Sequence, residues 1–316
     1  MSRVVVLAGG LSHERDVSLR SGRRVSQALR DHGVDVDELD VSAELLTALQ
    51  ADPPACVIPL VHGAAGEDGA LREVLELVGV PYVGARPDAC RLAFDKPVAK
   101  TLVARAGLRT PPAVALPAET FKELGARTVM DSVLAEVGLP LVVKPARGGS
   151  ALGCTVVRGA DALPGAMVAC FAYDQVALVE RFVAGTEVAV TVLEEQAGEL
   201  RALPPVEVRP DGEVYDYAAR YTAGTTEFVA PAEIRAEALA GCEEAALTAH
   251  RTLGLRHLSR TDLMVDAEGV WFLEVNVAPG ITDTSLVPLA VEAAGLDLGA
   301  VYAALAATAQ VSKAGQ

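Results

Sequence analysis

The residues best suited to chemistry lie at 260–276, Arg-Thr-Asp-Leu-Met-Val-Asp-Ala-Glu-Gly-Val-Trp-Phe-Leu-Glu-Val-Asn. Two strand-like runs flank Ala267-Glu268-Gly269, which reads as a three-residue hairpin loop. Pairing Asp266 with Val270 sets the register: Met264 opposes Phe272, Asp262 opposes Glu274 and Arg260 opposes Asn276. The odd-numbered face, Thr261, Leu263, Val265, Trp271, Leu273 and Val275, is apolar apart from the threonine and should pack on a core. The other face sets two carboxylates opposite each other, an arrangement that costs a hairpin roughly 0.2–1 kcal/mol. A divalent cation offsets that cost. Asp262, Glu274 and Asn276 offer three hard oxygen donors, which suit Mg²⁺ with nucleotide phosphates completing the shell. The alternative is a solvated polar strand face.

Lys144 ends a strand and is followed by Pro-Ala-Arg-Gly-Gly-Ser-Ala-Leu-Gly153. Glycines let the backbone approach a phosphate, successive N–H groups can cradle its oxygens, and the lysine adds a point charge. The lysine precedes the glycines, so this is not the G-x-x-x-x-G-K-S/T loop, and a plain flexible turn fits it as well. Glu180-Arg-Phe-Val183 closes another apolar strand, with Glu187 four residues on. A strand-to-loop segment of this kind can hold an adenine through backbone groups and a ribose through a carboxylate. A surface carboxylate at a strand end is the commoner arrangement.

The elements that must position these groups follow from hydrophobic patterning. Val4–Ala8 reads as a buried parallel strand running into Gly9-Gly10, followed by a helix over about 17–32, a strand over 34–39 and another over 56–61. The loop His62-Gly-Ala-Ala-Gly-Glu-Asp-Gly69 leads into a helix over 70–78. Alternating strands and helices predict an open α/β domain whose ligands sit at the carboxyl ends of its strands. Farther on come a helix over 96–107 and strands over 139–144, 176–182 and 187–193. The expected domains are 1–93, 94–182 and 183–316.

With 316 residues the chain is long enough for two or three cores. Its net charge of −15 argues against nucleic-acid or anionic-membrane partners. Five scattered cysteines without C-x-x-C spacing fit reduced, buried thiols in a cytoplasm. No apolar run suits a signal peptide or a membrane span.

From Val4 to about Ala304 the chain resembles the D-alanine–D-alanine ligases of the ATP-grasp superfamily. The resemblance is carried by Gly9-Gly-Leu-Ser-His-Glu-Arg-Asp-Val-Ser-Leu, His62-Gly-Ala-Ala-Gly-Glu-Asp-Gly, Asp95-Lys96, the Lys144–Gly153 segment, Tyr215-Asp-Tyr-Ala-Ala-Arg-Tyr, Arg260-Thr-Asp-Leu, Glu274-Val-Asn-Val-Ala-Pro-Gly and Ser285-Leu-Val-Pro. It implies an α/β, three-domain ATP-grasp fold, with an N-terminal Rossmann-like parallel domain and ATP held between the central and C-terminal domains. It implies ATP with two Mg²⁺ (Mn²⁺ as an alternative), D-alanine as substrate, an acyl-phosphate intermediate and a homodimer. On this match Asp262, Glu274 and Asn276 are metal ligands. Lys96 and Lys144 contact the α- and β-phosphates, Glu180, Arg181, Val183 and Glu187 surround adenine and ribose, and Arg220 lies over the γ-phosphate. Glu14 pairs with the first substrate's ammonium, and with Ser150 and Tyr221 it orders a loop over the site. Arg260 and the Gly280 N–H form the oxyanion site, His62 lies near the first substrate, and Ser285 and Leu286 hold the second substrate's carboxylate.

Some positions depart from the family pattern. Arg220 and Arg181 replace common lysines, Ala151 replaces a second serine, and Val277-Ala278 replaces a more polar pair. Tyr221 goes with joining an amine, where phenylalanine goes with a hydroxy acid. The rival readings are the same chemistry on D-serine, D-lactate or natural-product amino acids, a catalytically dead ATP-binding regulator, and a nucleotide-binding oxidoreductase. The first loop lacks the G-x-G-x-x-G that the oxidoreductase needs. Tyr215–Phe228, polar, aromatic and glycine-bearing, is expected to act as a lid over the acyl phosphate.

Overall fold

The computed structural model describes residues 3–196, 199–212 and 224–309. Its strands form three sheets. The first is parallel, in the order β2 (Val36–Asp40), β1 (Val4–Ala8), β3 (Cys56–Pro59). β1 is apolar at every position and buried at every position, as a strand covered on both faces must be. Helix α1 (Arg15–Asp31) covers one face through small residues. A Cβ on Gly22 would come within 2.5 Å of the Ala8 Cβ, so only glycine allows so close an approach. Ser18 is buried because its hydroxyl donates to the Leu60 carbonyl (2.7 Å) and accepts the Gly9 N–H (2.8 Å), fastening the carboxyl ends of two strands.

The second sheet is antiparallel, in the order β4 (Ala113–Pro117), β7 (Val176–Arg181), β5 (Leu141–Pro145), β6 (Thr155–Val157). Along β5, Leu141 and Val143 enter the core while Val142 and Lys144 face the opposite way. The third sheet runs β11 (Thr226–Val229), β10 (Val206–Pro210), β8 (Thr186–Gln196), β12 (Leu258–Asp266), β13 (Gly269–Asn276), with β9 (Glu199–Ala202) paired to β8. Beneath it lie the long helix Ala236–Thr252 and the helices Pro87–Phe94 and Lys96–Arg105, whose alanines and cysteines share one core with Val188, Val190, Val192 and Phe272. The helix at Lys96–Arg105 starts where it does because Pro97 occupies its first turn and the Asp95 side chain accepts the Val98 N–H at 3.2 Å. Among the described residues no single helix is long and apolar enough to cross a bilayer.

The 260–276 hairpin forms, with one correction to its register. Arg260 opposes Asn276 and Asp262 opposes Glu274 as expected, but Met264 opposes Trp271 and Asp266 opposes Gly269. The turn therefore holds two residues, and a β-bulge between Asp262 and Leu263 absorbs the difference. Phe272 thereby takes the core position expected of Leu273, and Leu273 turns out beside Glu274. Of the lid expected over 215–228, residues 215–223 lie outside the described residues, while Thr226–Val229 is an edge strand.

A buried polar junction joins the first sheet's unit to the third sheet. The Gly84 N–H donates to His257 Nδ1 (2.9 Å), Arg256 donates to the Gly84 carbonyl (2.7 Å) and stacks 4.8 Å from the Tyr82 ring, and Glu194 accepts the His257 N–H (2.8 Å). Burial, reinforced by Arg256, pushes the His257 imidazole down to about 4. Its folded value lies below the unfolded one, so the unfolded chain takes the proton first and stability falls as pH drops from about 6.5 to about 4. Asn tolerates the left-handed backbone that His257 adopts (φ 65°). Urea midpoints measured from pH 4 to 7 should therefore fall less steeply for His257→Asn than for the wild type.

Candidate active site

Two hollows meet at the charged face of the β12–β13 hairpin. The larger, an open cleft enclosing about 910 Å³ with the solvent at its mouth counted, lies between the second and third sheets. Val142 and Val156 line one wall, Met264 and Leu273 the other, and Phe182 and Val183 close the end, giving an apolar slot between two sheets of the kind that takes a flat apolar ring. Val183 was expected here and Phe182 lies in the same Glu180–Val183 segment, but sequence reading missed Val142, Val156, Met264 and Leu273. Strand alternation could place Val142 on the face of Lys144, but not opposite Met264 on another sheet. Glu187 and Arg181 line the rim.

The glycine-bearing loop joins β5 to β6 and roofs this cleft. Ser150 and Ala151 both adopt left-handed backbone, with φ of 54° and 56°. Two successive non-glycine residues in that region mark stored strain at a site. The conformation points Ser150 at the first sheet's unit, where its hydroxyl donates to the Glu14 carboxylate. Ala151 lies in the cleft lining, where a serine would have added a hydroxyl.

The floor is a ladder of alternating charge. Lys144 Nζ lies 2.5 Å from Glu180 Oε1, and Lys100, unforeseen from sequence, lies 2.8 Å from Oε2. Burial alone would raise the Glu180 carboxyl, but the two lysines outweigh it and hold it below the usual range. Lys96 Nζ sits 3.2 Å from Glu274 and donates to the Gly148 carbonyl at 2.6 Å. Arg260 forks onto both oxygens of Asp262, at 2.7 and 2.8 Å. Thus each of the opposed carboxylates already has a cation beside it. Asn276 Oδ1 accepts the Ala278 N–H at 2.8 Å and keeps a second lone pair.

The smaller hollow is polar. Glu14, Val17, His62, Ser150, Arg260, Asn276, Gly280, Ser285 and Leu286 line it, which brings together in one space eight of the sequence-predicted site residues from distant stretches of chain, together with the unforeseen Val17. Ser285 precedes the helix Leu286–Ala293, whose first N–H groups are a ready anion site. The Ser285 hydroxyl sits 2.8 Å from Thr282 Oγ1, and a Cβ at Gly280 would come within 2.9 Å of it, so that glycine keeps the space open. His62 has both ring nitrogens engaged: Nδ1–H donates to the Ala278 carbonyl (2.9 Å), leaving Nε2 to accept from Ser21 (3.2 Å). Burial pushes it down to about 4, so it stays neutral and fastens the Ala278–Ile281 segment to α1.

Two further buried charged residues escaped the sequence reading: Glu67 lines the second hollow, and Arg72 lies behind the Val277–Ala278 segment that borders it. Glu67 is buried and accepts the Gly63 N–H (2.8 Å), and desolvation followed by the nearby Glu14 pushes it up to about 8. Arg72, fully buried, donates to the Gly66 carbonyl and at 3.5 Å to the Val277 carbonyl. Glu67 lies within the His62–Gly69 loop, where only the histidine drew attention, and Arg72 lies on the helix that follows it. Arg220 and Tyr221 lie outside the described residues.

Arg181 stacks over Trp271 at 5.1 Å, with Arg109 at 4.1 Å from the same ring. A planar guanidinium suits this stacking as an ammonium would not. Trp271 is the chain's single tryptophan, and Arg181 also borders the large cleft. Adenine nucleotide entering the cleft should therefore change the intrinsic tryptophan emission, and Arg181→Ala should blunt that change. A fluorescence titration with Mg²⁺-ATP checks it.

The comparisons agree with this geometry. The family model described as D-ala D-ala ligase C-terminus matches residues 102–306. The D-alanine–D-alanine ligase of Nitrosospira multiformis is 39% identical over 295 residues, covering 93% of this chain and 92% of its own length. That of Ectopseudomonas mendocina is 40% identical over 306 residues, covering 96% and 94%. Among solved structures, the VanG D-Ala:D-Ser ligase from Enterococcus faecalis superposes with a TM-score of 0.82 at 28% identity, covering 97% of this chain and 98% of that one. The D-alanine–D-alanine ligase from Bacillus anthracis superposes with a TM-score of 0.81 at 26% identity, covering 98% and 97%. With its three sheets and these relatives, the chain belongs to the D-alanine–D-alanine ligase family of ATP-grasp fold.

Proposed function

We propose that the chain joins two D-alanine molecules at the expense of ATP, giving D-alanyl-D-alanine, ADP and phosphate, the dipeptide used for peptidoglycan precursors. The observation that carries this reading is the β12–β13 face. Asp262, Met264, Leu273 and Glu274 line the larger cleft, while Arg260 and Asn276, one strand repeat of about 7 Å farther on, line the polar hollow. A phosphoryl group can thus pass along one strand face from a base-holding cleft to a hollow built for a small zwitterion.

The reading assigns three domains, 1–93, 94–182 and 183–316, with the nucleotide between the second and third. Adenine stacks in the Val142–Leu273 slot, with Glu180, Arg181, Val183 and Glu187 around base and ribose. Lys96 and Lys144 turn to the phosphates. Asp262, Glu274 and Asn276 fit a divalent ion: all three offer hard oxygens on one face, and cations already stand beside both carboxylates. Mg²⁺ held there, with two ions as the expected count, would neutralise charge on the transferring phosphate.

In the hollow, Glu14 receives the ammonium of the first D-alanine and Ser150 holds Glu14 in place. The substrate carboxylate attacks the γ-phosphorus, the bond to ADP breaks, and an acyl phosphate forms. The second D-alanine, its carboxylate on Ser285 and the N-terminus of the helix at Leu286, attacks the acyl carbon as a free amine. Arg260 and the Gly280 N–H stabilise the oxyanion, and phosphate leaves. Arg220 and Tyr221 complete the set as γ-phosphate and loop residues. A cytoplasmic homodimer acting on these small molecules is the assembly this reading carries.

Phosphate release with Mg²⁺-ATP, followed by mass identification of the product, tests it. D-alanine alone should suffice, L-alanine should not, and product only with D-serine or D-lactate would move the protein to another ligase specificity. Chelation by EDTA should stop turnover, and added Mg²⁺ should restore it. Arg260→Met should lower kcat by about 10²–10³-fold while nucleotide still binds, because the lost donor acts on the oxyanion.

A further inference from the structure

Lys100 belongs to no part of the mechanism above, yet it is 5% exposed and occupies the centre of the cleft's framework. It lies one turn after Lys96 on the helix Lys96–Arg105. Its ammonium reaches Glu180 Oε2 (2.8 Å) on β7 of the second sheet and donates to the Phe272 carbonyl (3.2 Å) on β13 of the third. The Phe272 N–H is taken by the Arg109 carbonyl at 2.8 Å, so the segment after Lys96 covers this edge of β13 beside the bulge that turns Leu273 and Glu274 into the cleft. One side chain therefore links the two sheets that wall the nucleotide cleft.

The arrangement matters because Glu180, 3% exposed, has a second lysine. Lys144 Nζ is 2.5 Å from its other oxygen. For Lys144 to take a phosphate, it must release Glu180. A buried carboxylate deserted by its sole counter-ion is strongly unfavourable, and that cost would be set against nucleotide binding. We propose that Lys100 is a positioning residue for the nucleotide, the resident counter-ion of Glu180 anchored to the Phe272 carbonyl, which frees Lys144 to turn from Glu180 to phosphate. Burial lowers Lys100 toward about 8 and Glu180 opposes it, in keeping with an ammonium held by its partner rather than by solvent. The inference rests on the nucleotide site of the proposed function but not on which amino acids are joined.

Calorimetric titration of Mg²⁺-ATP into purified wild type, Lys100→Met, Lys100→Gln, Glu180→Gln and the Lys100→Met/Glu180→Gln double variant tests it, with a thermal melt of each. Lys100→Met should weaken ATP binding by at least about tenfold. The loss should appear in KM for ATP and not in KM for D-alanine. In the Glu180→Gln background, where no carboxylate can be stranded, the same replacement should cost less than about twofold. Lys100→Gln keeps a donor for Phe272 without the charge and should also weaken binding, so it decides the matter if the methionine variant fails to fold. Folded lysine variants with wild-type affinity would overturn the proposal. So would an equal loss in the Glu180→Gln background, which is what a purely structural cap on the β13 edge predicts. Wild type that binds no Mg²⁺-ATP would overturn both this inference and the proposed function. Wild type that binds it but makes no D-alanyl-D-alanine would overturn the substrate reading alone, and the affinities would still decide Lys100.

Discussion

Asp262 and Glu274 face each other across an antiparallel strand pair, and the surrounding structure is arranged to make that tolerable. Like charges in directly opposed positions repel, and partial burial removes the water that would screen them. Arg260 satisfies one with a two-pronged bond and Lys96 the other. Both cations come from places fixed for other reasons: Arg260 from the same strand face two residues away, and Lys96 from the first turn of a helix capped by Asp95 and pressed against the same sheet. The two cations thus compensate the carboxylates, both of which line the cleft between the second and third sheets.

This constraint explains why the helix at Lys96–Arg105 packs beneath the third sheet while its two lysines reach toward the second. Its Ala99 and Val103 share one core with the valines of β8 and the Phe272 ring, which leaves the lysines at one end of the contact, where the sheets diverge into a cleft. Apolar contact sets the distance between the sheets, and the charges use the gap. The bulge in β13 serves the same end. By shifting the alternation it sends Phe272 into the core and leaves Leu273 and Glu274 both facing the cleft, one to bound the apolar slot and the other to hold charge.

The polar hollow depends on long-range ties of a different kind. His62 and Arg72 bond the backbone of Val277 and Ala278, and Ser21 bonds that of Ile281, so the start of the chain moulds the loop after β13. Glu14 meets Ser150 across the mouth. The hollow is therefore shared by all three sheet units, and its shape responds to how they are set against one another.

Local chemistry in the sequence determined a good deal. A continuous apolar run marked β1 as a buried strand, further runs marked β3 and β5 as strands, and Asp95-Lys96-Pro97 suits a helix start. The assumed three-residue turn placed Asp262 opposite Glu274 and Arg260 opposite Asn276, and those pairs form because the bulge makes up for the shorter turn. The family resemblance supplied the fold and gathered residues that prove to share the polar hollow, Glu14, His62, Ser150, Gly280, Ser285 and Leu286 among them. Tertiary structure alone decided what depends on packing between distant segments. The position of the bulge, and so the exchange of Phe272 for Leu273 in the core, follows from a two-residue turn and the shape of the helices beneath. The apolar slot exists because Val142 and Met264, on different sheets, come to face each other. The burial of Lys100, Glu67 and Arg72 could not be read from sequence. A charged side chain in a polar stretch normally faces water, and only a partner brought in from elsewhere in the chain allows it to lie inside.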